Sequence, residues 1–302
     1  MSTTSRVGSL ALQTSTLRDV ASSQTKLAEL QTQISSGYKS SDFAGLNGSV
    51  EHFTELNSQL SRAVQFQANN KVNISKLQTG DAALSHIIDI ADQIKSAIVG
   101  FSGANASTSN LAQLVTDLLS SMGNELNSTV NGHYIFGGTS TDTPPVPDTT
   151  VSNTALGVPD ANYYAGSQQD GIMRADDRTQ MPFPVRADDP AFQKVYAAAM
   201  QAINASRSGD QTQMQSALQL IQSGQSDLVA ARSKLGTAVV NVETVDSRLT
   251  TLSTYWKELA DGLSKTDIVS ATTQVAGYQA ILQASFQVYS RLSQLRLSDY
   301  LK

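Results

Sequence analysis

Two stretches at opposite ends of the chain carry a narrow apolar stripe at helical spacing. Toward the C-terminus, Leu249, Leu252, Trp256, Leu259 and Leu263 step by three and four residues in turn. Val275, Tyr278, Leu282, Tyr289 and Leu292 continue the step, with Ser285 in the one polar slot. Toward the N-terminus, Val7, Leu10, Leu17, Leu27, Leu30 and Ile34 make a weaker version. A stripe this thin is the seam of a helix packed on another helix, as in a coiled coil. It cannot enclose a globular core alone. The two ends are therefore predicted to pair with each other or with neighbouring subunits, and the chain between them to be an excursion from a helical stem. The competing reading is an ordinary soluble bundle whose helices face one core. Position favours the first. Both stripes occupy termini, where chains fray unless tied down, and Arg6 is the only charge before Arg18. Such helices are marginal alone and gain order by packing into an assembly.

Between the ends, proline divides the chain. All seven prolines fall between Pro144 and Pro190, and a proline inside a helix costs about 3 kcal/mol. The chain thus reads helix, non-helix, helix. A first helix over 5–35 ends at Gly37, and a loop follows to Gly48. A second helix starts near Ser49, with Val50, Phe53, Leu56, Leu60 and Val64 on its apolar face. Ala83, Leu84, Ile87, Ile88, Ala91, Ile94 and Ile98 continue that face or form a separate helix after Gly80. Beyond a Gly- and Ser-rich turn at 100–109, Leu111, Leu114, Val115, Leu118, Leu119, Met122, Leu126 and Val130 predict another helix, stopped by Asn131-Gly132. Short strands are predicted at Tyr134–Phe136, Asn162–Gly166, Gly171–Arg174 and Met181–Val185.

Helix returns at Pro190, a residue suited to a first turn, with Phe192, Val195, Tyr196, Ala199, Met200 and Ile203 on one face. After Ser208-Gly209-Asp210 a long helix runs from about Gln211 to Gly262. Its buried side is predicted to hold Leu218, Ile221, Leu228, Val229, Leu235, Val239, Val242, Val245, Leu249 and Leu252. Ser264–Asp267 supplies a turn and an N-cap for the last helix. The predicted fold class is mainly α, an elongated antiparallel helical rod with coiled-coil-like terminal helices and a small β-containing insertion. Its parts are an assembly helix and loop over 1–48, the two halves of the rod over 49–132 and 190–263, a Pro-rich insertion over 133–189 and a C-terminal assembly helix over 264–302.

Composition narrows the function classes. The net charge is −5 with no long basic run, which disfavours nucleic acid as a partner. No apolar run approaches the length of a membrane span, and no cleaved signal peptide is visible at the start of the sequence. Cysteine is absent, so there is neither a disulfide framework nor thiolate chemistry. His52, His86 and His133 are far apart without ligand-spaced partners, and no metal or cofactor is expected. Asp176-Asp177 and Asp188-Asp189 read as solvated loop charge, with a weak cation contact the remoter alternative. No Walker loop, dinucleotide fingerprint or nucleophile elbow occurs, so the chain is not expected to be an enzyme. Four matches to the short glycosylation pattern, at Asn47, Asn105, Asn127 and Asn204, are what chance provides in so Asn- and Ser-rich a chain.

Particular motifs resemble a known family. Lys26 to Gly37, KLAELQTQISSG, followed by Tyr38-Lys39, resembles the N-terminal signature of flagellins and their relatives. Leu126 to Pro145, LNSTVNGHYIFGGTSTDTPP, resembles the hook–filament junction proteins (hook-associated protein 3). Ala217 to Glu243 is similar to their returning helix, with Leu235-Gly236 and Asn241 in place, and Ala280–Ser285 and Leu297–Leu301 are similar to their C-terminus. One departure is Ser41-Asp42-Phe43-Ala44-Gly45, where relatives carry two acids and then Pro-Ala.

The resemblance implies a structural subunit between hook and filament. Its implied partners are further copies of itself, a neighbouring hook-associated protein, flagellin and a cytosolic export chaperone that holds the C-terminal region. It also implies an extracellular place on the flagellum, reached through the flagellum's own export apparatus. The expected assembly residues are Val7, Leu10, Leu17, Leu27, Ile34, Leu259, Leu263, Val275, Tyr278, Leu282, Tyr289 and Leu292. The alternatives are a flagellin of the filament and, from another class, a secreted coiled-coil tip or translocator protein.

Overall fold

The computed structural model describes residues 3–40, 48–101, 108–148 and 157–300, and among these the side chains of 14–40, 48–101, 110–148 and 157–291. Within the described residues the order of elements is α1 Thr3–Ser36, α2 Val50–Phe101, α3 Thr108–Leu126, β1 Thr129–Val130, β2 His133–Tyr134, β3 Ile172–Arg174, β4 Gln180–Pro182, α4 Pro190–Ser208, α5 Gln211–Ser264 and α6 Ile268–Tyr300. The protein is mainly helical, with two antiparallel two-stranded sheets, β1–β2 and β3–β4. It divides into two compact units. The first is Met1–Ser61 with Thr254–Lys302, and the second is Arg62–Ser253.

The second unit holds the core. Along α5, Met214, Ala217, Ile221, Leu228, Ala231, Leu235, Ala238, Val242, Val245 and Leu249 are buried at alternating steps of three and four. Gly224 fills the place between Ile221 and Leu228. A Cβ there would lie 3.2 Å from both Lys194 Cβ and Val195 Cγ2 of α4, so this glycine is what lets α4 and α5 meet so closely. α2 runs unbroken through Gly80 and buries Leu77, Leu84, Ile87, Ala91, Ile94 and Ile98. Polar pairs set the antiparallel register of α2 on α5. Gln67 Nε2 donates to Thr250 Oγ1 at 2.8 Å, Arg232 grips both carboxylate oxygens of Asp81 at 2.8 and 3.0 Å, and Gln225 Nε2 donates to Asp92 at 2.6 Å. Three positions predicted to face the interior, Val64, Leu114 and Val229, are instead about half exposed. Each lies just off the buried seam of its helix, where a one-residue shift in azimuth carries a side chain from interior to rim.

The connecting region 129–189 joins that same core. Phe136 is fully buried, edge-on to Phe183 (6.2 Å between centroids) and to Phe192 of α4 (6.4 Å). Tyr163 packs on Tyr196 of α4 at 4.3 Å and donates its hydroxyl to Ala187 O at 2.8 Å. Local details correct the sequence-based expectation. α3 ends at Leu126 rather than Val130, and Asn131-Gly132 is a hairpin turn between β1 and β2, with φ of 52° and 80°. Positive φ at both central residues is the two-residue turn that matches strand twist. The predicted strand Tyr134–Phe136 shifts to His133–Tyr134, and Met181–Val185 shifts to Gln180–Pro182. Asn162–Gly166 is a turn, in which Tyr164 N donates to Ala161 O at 2.9 Å. α4 starts as expected, with Asp189 capping Ala191 N at 3.0 Å ahead of Pro190.

The acids at 176 and 188 are not solvated loop charge. Asp188 holds Arg186 through both carboxylate oxygens, at 2.9 and 3.0 Å. Asp176 is buried. Its Oδ1 accepts from Arg178 N and Thr179 N at 2.8 and 2.6 Å, and its Oδ2 faces Arg248 of α5. Around it, Asn70 Nδ2 of α2 donates to Ala175 O at 3.1 Å, and Arg174 lies 5.5 Å above the Phe66 ring. Together these contacts clasp the β3–β4 hairpin to α2 and α5. Burial alone would raise the Asp176 carboxyl, but its hydrogen bonds and Arg248 outweigh burial and hold it below the usual range. A depressed folded value adds stability above the unfolded carboxyl value, about 4, that is lost as pH falls through the folded value. Asp176→Asn is therefore expected to cost about 1–2 kcal/mol at pH 7. That deficit should shrink toward pH 2.5 when unfolding is followed in urea at both pH values. A deficit independent of pH would mean that the charge is not its source.

Candidate assembly surface

In the first unit, α1 and α6 pack against each other and run antiparallel. The seam is thin. Among the described side chains of α1 only Ser23 and Leu30 are buried, and of α6 only Ala271 and Leu282. Leu27 and Ile34 on α1, and Val275, Tyr278 and Tyr289 on α6, are half-buried beside them. At the end of α5, Leu263 is half-buried and Leu259 is exposed, as is Leu17 on α1. Val7, Leu10 and Leu292 lie on α1 and α6, but their side chains are outside the described residues, as is the whole of the loop 41–47. The predicted stripe residues thus lie on α1, on α6 and at the end of α5, without the enclosure that α3 and α4 enjoy in the second unit.

Beyond its seam, α6 exposes further large apolar side chains. Ile281 (50% exposed) and Val288 (49%) stand one heptad apart on one flank, and Ile268 and Phe286 (53%) share an azimuth on the other. From Ile268 to Ser290 there is no charged residue. That uncharged run was not singled out from periodicity, because the stripe residues account for only part of it. An exposed apolar surface of this kind on a helix is a candidate interaction surface. No helix of the described residues is long and apolar enough to cross a membrane.

The helix ends of this unit are tied together. Gly37 N donates to Gln33 O at 2.8 Å and closes α1. Tyr38 pairs antiparallel with Lys265 in the short link between α5 and α6. Asp267 caps α6, accepting from Val269 N and Ser270 N at 3.0 and 3.2 Å. Elsewhere, His86 meets Glu125 at 3.1 Å and His133 meets Asp142 at 3.0 Å, each a separate surface pair. Among the described residues there is no cluster of metal-ligating side chains.

Comparison with known proteins agrees with this arrangement. Residues 7–141 match the family model described as the bacterial flagellin N-terminal helical region. No curated protein matches the sequence. The structure is similar to that of a protein from Vibrio parahaemolyticus described as a flagellar hook-associated protein, with a TM-score of 0.58 and 14% identity, over 72% of this chain and 97% of that one. It is similar to FlgL of Bacillus cereus (TM-score 0.54, 16% identity, 68% and 96% covered) and to FlgL of Xanthomonas campestris (0.55, 12%, 69% and 99%). With a flagellin-type N-terminal region at one end and a returning helical second half, the chain has the fold of the flagellar hook-associated proteins.

Proposed function

We propose that this chain is a structural subunit of the bacterial flagellum, forming the layer between hook and filament, and that it assembles through α1 and α6. The observation that carries the reading is the half-exposed α6, uncharged from Ile268 to Ser290 and seated on a thin seam with α1, in a chain whose fold is that of solved hook-associated proteins. A subunit that meets unlike neighbours needs a core that folds alone and separate helices left free to pair. The second unit supplies the first, and the terminal helices supply the second. The five-part division read from the sequence belongs to this proposal: assembly segments at 1–48 and 264–302, helical halves at 49–132 and 190–263, and the 133–189 insertion between them. Its partners are further copies of itself, a neighbouring hook-associated protein and flagellin. A cytosolic chaperone covers the apolar C-terminal helix before export through the flagellum's own apparatus to the cell exterior. The chain performs no catalysis in this role.

Deleting the gene in its host and imaging the cell surface by electron microscopy tests the reading. Bare hooks, with flagellin shed into the medium, are expected, because the filament then has nothing to grow on. Hooks that carry shortened filaments would instead identify a filament subunit. Normal filaments on motile cells would overturn the flagellar role.

A further inference from the structure

Lys39 stands just beyond the end of α1, yet what it touches belongs to α5. The last four carbonyls of any helix lack an intrahelical partner. For α5 these are the carbonyls of Asp261, Gly262, Leu263 and Ser264. Asp261 O accepts from the following Lys265 N at 2.7 Å. The other three are satisfied by one residue of a distant segment. Lys39 Nζ donates to Gly262 O at 2.6 Å and to Leu263 O at 3.1 Å, and Lys39 N donates to Ser264 O at 2.8 Å. Its ammonium also sits where the helix dipole favours a cation. A return bond, Thr266 N to Gly37 O at 3.0 Å, completes the tie on either side of the Tyr38–Lys265 pair.

The link itself carries no strong stop. Lys265, Thr266 and Asp267 are the only residues between α5 and α6, and none is glycine or proline. The chain could continue as helix through all three at little cost in propensity. What marks the break is the cap from outside, together with Asp267 opening α6.

We propose that Lys39 is a C-cap supplied by a distant segment of the same chain, which fixes where α5 ends and so makes the ends of α1 and α6 order together. When the 37–39 segment is docked, α5 stops at Ser264, and α6 starts from Asp267 in position to pack on α1. When it is not, three carbonyls of α5 lose their donors, and the link loses its pairing with Gly37 and Tyr38. One lysine thereby couples two segments more than two hundred residues apart. The inference does not depend on the junction reading, since its test uses the unassembled full-length chain.

Hydrogen–deuterium exchange on the wild-type chain and on Lys39→Met, Lys39→Arg and Lys26→Met tests it. Methionine keeps the stem and removes the donors. Arginine keeps a cation with donors. Lys26, a lysine of α1 whose ammonium donates to Glu29, serves as the control. In Lys39→Met, exchange is expected to rise roughly fivefold or more at Gly37, at 265–266 and in the first turn of α6. The amides of α3 and α4 should be unchanged, protection in Lys39→Arg largely restored, and Lys26→Met like wild type. The simultaneous response of α1 and α6, to neither of which the Lys39 ammonium donates among the hydrogen bonds of the described residues, is what a purely local contact would not produce. Equal exchange in wild type and Lys39→Met would overturn the proposal. So would a rise spread evenly over α3 and α4, or a wild-type chain already unprotected at 265–266.

Discussion

A chain carrying Leu282→Asp is expected to keep its second unit folded and to lose incorporation into flagella. Leu282 is one of two buried side chains on the described part of α6, and it sits in the seam with α1. A carboxylate placed there loses hydration, and α6 supplies no cation beside it, because no charged residue lies between Ile268 and Ser290. The cost is about 2–5 kcal/mol, more than a seam this thin is expected to withstand. The core of the second unit is built from residues between Leu77 and Val242 and contains nothing from α6. Its melting midpoint should therefore stay within about a degree of wild type, while the variant, expressed in cells lacking their own copy, no longer restores filaments. Deleting 267–302 should do the same. Ile281→Asp sharpens the test. That side chain is half exposed, so the variant should leave the isolated chain unchanged and still weaken assembly if the flank meets a neighbour. If Leu282→Asp lowers the midpoint of the second unit as much as it lowers assembly, the leucine belongs to a core and not to an interface.

The largest effect on stability is expected from Phe136→Ala. Phe136 is fully buried between Phe183 and Phe192, so one ring joins the stretch after β2, the stretch after β4 and α4. Truncating a ring in such a place removes its transfer energy and leaves a cavity that flanking helices fill only in part, at a cost of about 3–5 kcal/mol. For a unit of this size the thermal midpoint should fall by about 10 °C. It should do so in a single transition, because the connecting region and the helices share one cluster of buried side chains. Two separated transitions by calorimetry, with the helical one unmoved, would show that the region from 133 to 189 folds as a body of its own.

Several features were legible before any coordinates. The step of three and four along α5 needs only helix periodicity, and of the residues it selects the structure buries Ile221, Leu228, Leu235, Val242, Val245 and Leu249, while Leu218, Val239 and Leu252 are half-buried and Val229 is exposed. Confinement of proline between 144 and 190 excludes long helices from that region for a local reason, the missing N–H and the ring clash. The start of α4 at Asp189-Pro190 and its end at Gly209 likewise follow from residues that act on their own backbone. The uncertain places were those where one local signal serves two structures. Asn131-Gly132 fits a helix stop and a hairpin turn equally well, since both use positive φ. Only the pairing of Thr129–Val130 with His133–Tyr134 decides for the turn.

Periodicity and punctuation thus established a mainly helical chain, its helical segments and the apolar stripes of both ends, because helix formation and helix termination are governed by neighbours in sequence. Tertiary structure alone decided which polar groups meet. Asp176 looked like surface charge until Arg248, 72 residues away, was found beside it. Lys39 looked like the basic tail of a terminal motif until its ammonium was found on the carbonyls of α5, 223 residues on. A charge is placed by whatever packs around it, and no local pattern encodes a partner so distant. The apolar seam could be read from one strand of sequence, whereas the capping of its ends required both halves of the chain in place.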